Sequence, residues 1–225
     1  MEYQIRGTVM QSVEVSLQAG ESVYTEAGGM AWMSANIGME TNMKGGMMGA
    51  LKRAVAGESL FMTTYTAGDA PGFVTFTLET PGTIIPLELG PGQEVICQRD
   101  AFMCAQSSVQ LDMHLHKRLG AGLFGGEGFI LQKVTGPGIA FFEVAGETLE
   151  YNLQAGQSLK VDPGHIAMMD PTVEFDVTMI KGVTNVLFGG EGLFLANVSG
   201  PGRVWLQSMP LANLAAKLSR YIAAK

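Results

Sequence analysis

The chain has 225 residues, of which 47% are hydrophobic and only 16% are charged, and its formal net charge is −7. A chain with this much apolar content buries a sizeable hydrophobic core, which excludes an intrinsically disordered protein. The acidic balance repels phosphate and disfavours sequence-independent binding to nucleic acid. Because no stretch approaches the roughly 20 apolar residues of a membrane-spanning helix and the first residues lack the pattern of a secretion signal, we predict a cytoplasmic protein.

Three stretches of the chain share two glycine motifs at nearly constant spacing. The first motif occupies residues 17–22, 89–94 and 153–158, and the second occupies residues 57–61, 126–130 and 190–194. From the second stretch to the third, both motifs shift by 64 residues, as from Gly92 to Gly156. A constant offset indicates one structural unit used repeatedly. Because a unit of roughly 65 residues is near the lower size limit for independent stability, we predict one domain with three repeats, at about 1–82, 83–147 and 148–210.

Each unit predicts the same succession of strands. The first strand alternates apolar and polar residues, as at Val13, Val15 and Leu17, which indicates one buried face. A second strand follows the glycine turn. The third strand lacks alternation and is predicted to be buried on both faces; it covers residues 29–34, 101–106 and 165–169. Another alternating strand and a strand pair complete the unit, so the pattern predicts an all-β, jelly-roll-like body.

Two segments depart from the strand pattern. Residues 46–56 place Met47, Leu51 and Val55 four apart, which suits one short helix or a loop. At the end of the chain, Pro210 suits the start of a helix. The positions that follow form one apolar stripe, which predicts a C-terminal helix over residues 211–223.

The assembled pattern resembles the altered-inheritance-of-mitochondria family, which has bacterial and mitochondrial members. The resemblance is carried by the start at residues 1–5, by the segment 45–53 with the Gly-Glu motif after it, and by the repeated Leu-Phe-Gly-Gly-Glu-Gly of residues 123–128 and 187–192. It implies a TRAP-like fold, similar to the tryptophan-attenuation RNA-binding protein: three fused repeats of a short double-stranded β-helix around a pseudo-threefold axis. It implies no established activity. The mitochondrial members look like factors for membrane organisation or assembly, which is an analogy only.

Three glutamates occupy equivalent positions after a glycine, namely Glu58, Glu127 and Glu191. A pseudo-threefold arrangement could bring their carboxylates together as oxygen ligands of a hard cation such as Ca²⁺ or Mg²⁺. The alternative interpretation is that each carboxylate accepts hydrogen bonds from nearby glycine amides and stabilises its own turn. We favour the turn interpretation, because a repeated architecture repeats its turns whether or not it binds anything. These residues are therefore only weak metal candidates.

Histidine and cysteine offer little for catalysis. His114 and His116 have the spacing of a metal-chelating pair on one strand, as in a cupin-like enzyme, but His165 lies in another repeat. Solvent-facing histidines are the simpler interpretation. Cys97 and Cys104 lack metal or redox spacing, and we interpret them as small apolar residues in strands, reduced in the cytoplasm. The sequence predicts no catalytic residue and no cofactor.

Methionine is abundant in the segment 38–56, which is longer than its counterparts in the other repeats. Surplus loop length in a compact domain is often functional, and exposed methionines adapt to varied apolar partners. The basic residues beside them suit the rim of an apolar interface. We therefore predict contact with a protein partner, another copy or a membrane surface, through Met43, Met47, Met48, Leu51, Lys52 and Arg53.

The sequence as a whole favours a non-enzymatic binding or scaffold protein, acting in assembly or in membrane-associated organisation. The alternative is an RNA-binding protein, by analogy to the attenuation protein, although its 14 lysines and arginines are scattered rather than set beside stacking aromatics. A metal-dependent, cupin-like enzyme ranks third.

Overall fold

A computed structural model of the chain describes residues 1–26, 29–43, 61–117, 129–179, 194–219 and 221. The described residues are all-β except for one C-terminal helix and two short 3-10 turns, as the sequence predicts. The strands of the first unit are β1 (Glu2–Arg6), β2 (Ser12–Leu17), β3 (Ser22–Glu26), β4 (Met30–Met33), β5 (Ile37–Met43), β6 (Phe61–Ala67) and β7 (Gly72–Thr77).

The second and third units contain six strands each. Those of the second are β8 (Gly82–Leu89), β9 (Glu94–Gln98), β10 (Phe102–Gln106), β11 (Gln110–Lys117), β12 (Phe129–Thr135) and β13 (Gly138–Ala145). Those of the third are β14 (Thr148–Leu153), β15 (Ser158–Val161), β16 (Ile166–Met169), β17 (Glu174–Met179), β18 (Phe194–Ser199) and β19 (Gly202–Gln207). The helix α1 covers Leu211–Ser219 and follows Pro210, and none of the helices within the described ranges has the length and apolar character to span a membrane.

The strands form four antiparallel sheets. Sheet A has the order β1-β2-β7-β4, sheet B the order β5-β6-β3-β10-β13-β8, sheet C the order β11-β12-β9-β16-β19-β14, and sheet D the order β15-β18-β17. The partial orders β2-β7-β4, β8-β13-β10 and β14-β19-β16 match, as do β5-β6-β3, β11-β12-β9 and β17-β18-β15. Every unit thus contributes two three-stranded halves, and each six-stranded sheet joins halves from consecutive units. The pseudo-threefold axis itself stays a prediction.

Three hydrophobic clusters lie between the sheets and set their stacking order. The first cluster contains residues of sheets A and B, the second of sheets B and C, and the third of sheets C and D. Phe141 and Phe142 on β13 show how sheet B serves two cores: both are fully buried, but Phe141 belongs to the first cluster and Phe142 to the second. Successive side chains of a strand point to opposite faces, so the sheets stack in the order A, B, C, D.

The repeated glycine motif builds the same turn three times. Gly20, Gly92 and Gly156 have φ values of 79°, 73° and 84°, in the left-handed region that glycine adopts without strain. The residue after each glycine closes the turn through its side chain. The Glu21 carboxylate accepts from the amide of Gln18 at 2.8 Å, and the Gln93 and Gln157 side-chain oxygens accept equivalent bonds at 2.7 and 2.8 Å. The constant motif therefore encodes a turn.

The structure corrects two expectations about the first unit. Residues 38–43 of the methionine-rich segment are part of β5, which pairs with β6 at the edge of sheet B, so this part is needed to build the unit. The strand predicted at residues 29–34 is not buried on both faces. Its ordered part, β4, is half-buried or exposed, whereas the corresponding β10 and β16 are almost entirely buried. The reason is position, because β4 lies at the edge of sheet A, whereas β10 and β16 lie inside six-stranded sheets.

Candidate functional site

Consecutive units join through one strand pairing that occurs twice. At the first junction β3 pairs with β10, and Tyr24 lies opposite Ala105. At the second junction β9 pairs with β16, and Ile96 lies opposite Met169. The two pairs are equivalent, because Tyr24 and Ile96 are separated by the 72-residue offset of the glycine motif and Ala105 and Met169 by its 64-residue offset. The second strand of a unit thus recognises the third strand of the next in a fixed register.

The same two strand types remain without this partner at the ends of the stack. Among the described residues, β4 pairs only with β7, and β15 pairs only with β18. By the same offsets, Met33 on β4 corresponds to Ala105, and Lys160 on β15 corresponds to Ile96. An edge strand presents unpaired N–H and C=O groups to any strand of matching shape. Within the described residues, β4 and β15 are therefore edge strands of the two types that the internal junctions join.

Trp32 marks the free edge of sheet A. A bulge precedes it on β4, and the same bulge precedes Cys104 on β10 and Met168 on β16, so the three residues are equivalent. Cys104 and Met168 are 0% exposed, whereas Trp32 is 52% exposed. A residue of this size usually finds a partner for its ring. Within the described residues, β4 pairs only with β7, and no second strand lies beside Trp32.

The outer faces of the end sheets, unlike their edges, are polar. On β2 the buried valines alternate with Ser12, Glu14 and Ser16, which are half-buried. On β17, Glu174 and Asp176 are exposed. Polar residues of this kind suit contact with water.

A cavity of about 390 Å³ opens between sheets B and C and the start of α1. Its lining is apolar on the side of the helix, with Pro210 and Leu211, and polar on the opposite side. The polar side contains Arg99, Asp100 and Glu143, with 3.7 Å between Arg99 Nε and Asp100 Oδ1. The arrangement can receive a small polar group, but the lining offers a single cation beside two carboxylates.

Glu143 is the electrostatically unusual residue of this cavity. Burial is the main cause that raises the pKa of its carboxyl group to about 7, with smaller contributions from the charges of Glu79 and Asp100 and an opposing one from a hydrogen bond with the backbone of Glu79. Glu143 therefore changes charge near neutral pH. A raised pKa of this kind occurs in functional sites and also in purely structural clusters, so by itself it assigns no role.

The weak metal candidates Glu58, Glu127 and Glu191 lie outside the described residues, as do Met47, Met48, Leu51, Lys52 and Arg53. Met43 ends β5, but its side chain is not described. The structure therefore does not test whether these residues lie close together. Met39, on the same edge strand β5, is 55% exposed.

In the described chain, the histidines do not come together in one metal or catalytic site. His114 is exposed and lies at a bulge in β11, between Met113 and Leu115, and the side chain of His116 is not described. His165 lies in a 3-10 turn, where its Nδ1 is 2.7 Å from the carbonyl oxygen of Gln207. Within the described ranges, no group of three or more potential metal ligands comes together.

Cys97 and Cys104 are free and lie in strands, as the sequence predicts, and the structure buries both fully. Burial raises the pKa of both thiols above its usual value. The thiolate is the reactive form, so we expect neither residue to react with a disulfide reagent such as Ellman's reagent in the native protein. Both should react after unfolding in urea. Rapid labelling of either thiol in the native state would contradict this burial.

Sequence reasoning missed the two free edges and the Glu143 cavity. The edges had a readable signal: a tryptophan stands where the other two repeats have cysteine and methionine, and a lysine stands where they have tyrosine and isoleucine. The cavity had none, because its lining comes from three units and the helix, far apart in the chain.

The described residues define the class of the protein as all-β, with several stacked antiparallel sheets. The family model described as "Mitochondrial biogenesis AIM24" matches residues 3–209. An uncharacterised protein of Streptococcus pyogenes serotype M6 is 30% identical over 218 residues, which are 93% of this chain and 86% of that protein. The crystal structure of another Streptococcus pyogenes protein superposes with a TM-score of 0.81 at 26% identity, covering 98% of this chain and 99% of the other. The chain belongs to the AIM24 family.

Proposed function

We propose that the protein is a non-enzymatic scaffold that binds protein partners through the free edges of its stacked sheets, in the cytoplasm or at a membrane surface. The observation that carries the proposal is the half-exposed Trp32 on the unpaired strand β4. A peptide strand added to such an edge gains backbone hydrogen bonds, and an aromatic side chain beside it supplies apolar contact. The family's uncharacterised relatives are compatible with this role.

The proposal includes the finer features of the fold that the resemblance implies. We infer that the three units are TRAP-like repeats related by a pseudo-threefold axis. The matching strand orders and the three equivalent turn hydrogen bonds support this inference. A structural superposition of the second unit on the third, at the 64-residue offset, tests it directly.

The methionine-rich segment extends the proposed surface. Its strand β5 is itself an edge strand, and Met39 on it is half exposed. We propose that the contact residues predicted from the sequence, which follow β5, add an apolar area with a basic rim. That contact would be made with a protein, with self-association as the simplest case, or peripherally with a membrane.

Photo-crosslinking in the source cell tests the scaffold role. We expect a benzoyl-phenylalanine residue in place of Trp32 to form covalent adducts with protein on irradiation, because the position faces an open strand edge. The matched control is the same substitution at Met10, which is also 52% exposed but lies in a turn. Adducts at position 32 and not at position 10 support the proposal. Equal adduct formation at both positions, or none at either, overturns it.

A further inference from the structure

We infer that α1 and the turn after it bind the surface of an anionic lipid bilayer through one apolar stripe, formed by Leu211, Leu214, Leu218 and Tyr221. The inference deepens the proposed function, on which it rests, because it names the surface that would hold the scaffold at a membrane. This surface is separate from the strand edges that are proposed to bind protein partners.

The stripe follows from the spacing of its residues. Leu211, Leu214 and Leu218 are three and four residues apart, so they lie on one face of the helix. The amide of Tyr221 donates to the carbonyl oxygen of Leu218 at 2.9 Å, which places the tyrosine one turn further along. A helix folded onto a core buries such a stripe. Here Leu218 is 51% exposed and Tyr221 is 82% exposed.

The body of the protein holds only the start of the helix. Pro210 is buried, its carbonyl oxygen accepts from the amide of Leu214 at 3.1 Å, and α1 contacts the 3-10 turn at Pro163–His165. From Ala215 onward, every side chain that the structure describes is exposed. A helix of nine residues is marginal by itself in water, so a surface that covers the stripe would stabilise it.

The charge of this part of the chain is opposite to that of the rest. Residues 210–225 contain three of the 14 basic residues and none of the 21 acidic ones, so the remainder carries a formal charge of −10 within the total of −7. Basic residues near the end of a helix also suit its dipole, but the dipole does not account for exposed leucines. An anionic bilayer repels the body and attracts this segment, which fixes the orientation of the protein.

A bilayer matches this surface better than a second copy does. A helix of nine residues is about 14 Å long, and one stripe along it covers only a fraction of the roughly 800 Å² per partner that stable interfaces bury. Two copies would also bring like charges together. The exposed Lys217 and Tyr221 each combine an apolar body with a polar tip, which suits the headgroup region of a membrane.

Co-sedimentation of the purified full chain with vesicles tests the inference. We expect binding to vesicles of equal parts phosphatidylglycerol and phosphatidylcholine to be at least about tenfold stronger than binding to phosphatidylcholine alone, because each basic residue is attracted to the anionic surface. The difference should shrink as salt is added.

Leu218→Glu should weaken binding to the anionic vesicles by at least about tenfold, because it removes an apolar side chain from the stripe and adds a negative charge. The matched control is Ser219→Glu, which makes the same change of charge at an exposed position about 100° further round the helix. It should weaken binding by less than about threefold. Circular dichroism and the fluorescence of the buried Trp205 should be unchanged in both variants, since neither position is part of the core.

A tryptophan at position 221 reports where the contact lies. In a Trp32→Phe background, Tyr221→Trp should shift its emission to shorter wavelength when anionic vesicles are added, because the ring leaves water for the interface. Phosphatidylcholine vesicles should leave the emission unchanged.

Four results would overturn the inference: no binding to either kind of vesicle, equal binding to both, equal loss in Leu218→Glu and Ser219→Glu, or binding that Leu218→Glu leaves intact. The last result would place the membrane contact elsewhere, for example in the methionine-rich segment 38–56. Each of them leaves the crosslinking result at Trp32 unaffected. Conversely, vesicle binding without adducts at position 32 would overturn the proposed binding of protein partners and leave this inference standing.

Discussion

Replacement of Phe141 by alanine is expected to lower the free energy of unfolding by about 3–5 kcal/mol, the usual cost of removing a fully buried phenylalanine. Phe141 is 0% exposed on β13, an interior strand of sheet B, and packs edge-on against Tyr3 of β1, with 5.1 Å between ring centroids. The loss should be large because both faces of sheet B are packed against neighbouring sheets, so the site has little room to collapse.

The shared sheets also predict how the protein unfolds. Since sheet B belongs to two cores, Phe141→Ala should shift one common transition rather than release the first unit alone. Urea unfolding can show this, because Trp32 lies in sheet A and the buried Trp205 in sheet C. In a Trp32→Phe background, fluorescence of Trp205 and circular dichroism should report the same midpoint. Tyr151→Ala, which removes an aromatic side chain that is 41% exposed, is the control and should cost far less.

Two separate transitions, with that of Trp205 unchanged by Phe141→Ala, would show that the units unfold independently. The units would then fold independently of one another, and the prediction that a single unit is too small to be stable alone would be wrong.

Glu143→Gln is expected to remove part of the dependence of stability on pH. The folded-state pKa of about 7 lies above the model value of 4.5, so the folded protein holds this proton more tightly than the unfolded chain. The stability that the protonated group supplies is fully present below about pH 4.5 and is lost as the pH rises through 7. The upper limit is about 3.5 kcal/mol, because one pKa unit corresponds to about 1.4 kcal/mol, and partial exposure reduces it to about 1–3 kcal/mol.

The measurement is the difference in unfolding free energy between Glu143→Gln and wild type from pH 4 to 8. We expect the variant to gain relative stability as the pH rises and the difference to level off above pH 7. Glu88→Gln, which changes an exposed glutamate on the neighbouring strand β8, should show no such trend. If the difference between Glu143→Gln and wild type stays constant with pH, folding does not raise the pKa of Glu143.

The same residue connects the cavity to the C-terminal helix. Glu143, Ala145 and Gln207 line one side of the cavity, and Pro210 and Leu211 line the other. The amide of Met209 donates to the carbonyl oxygen of Ala145 at 3.1 Å, so the start of the helix is tied to β13 by the backbone as well. A charge that appears on Glu143 near neutral pH therefore acts where the helix joins the sheets.

The repeated motifs explain how much of the fold could be predicted. The turn after each first strand, at Gly20, Gly92 and Gly156, is local, because the glycine supplies its conformation and the next side chain closes it. The alternation of Val13, Val15 and Leu17 is local too, and the structure buries all three residues. The C-terminal helix after Pro210 is likewise predicted by a pattern within its own residues. Such features can be read from a single stretch of chain.

The sequence by itself therefore predicted the strand content, the glycine turns, the terminal helix and the placement of the two cysteines in strands. Only the tertiary structure decided which strands are interior and which are edges. The third strand is predicted to be buried in all three units, yet β4 is open while β10 and β16 are covered. Within the described residues β4 pairs only with β7, whereas β10 and β16 each have a strand on both sides. The raised pKa of Glu143 has the same origin, since Glu79 and Asp100 come near it only through folding. Whether a strand is an edge strand, and which residues line a cavity, depends on neighbours that are distant in the chain. A local sequence pattern therefore cannot predict either of them.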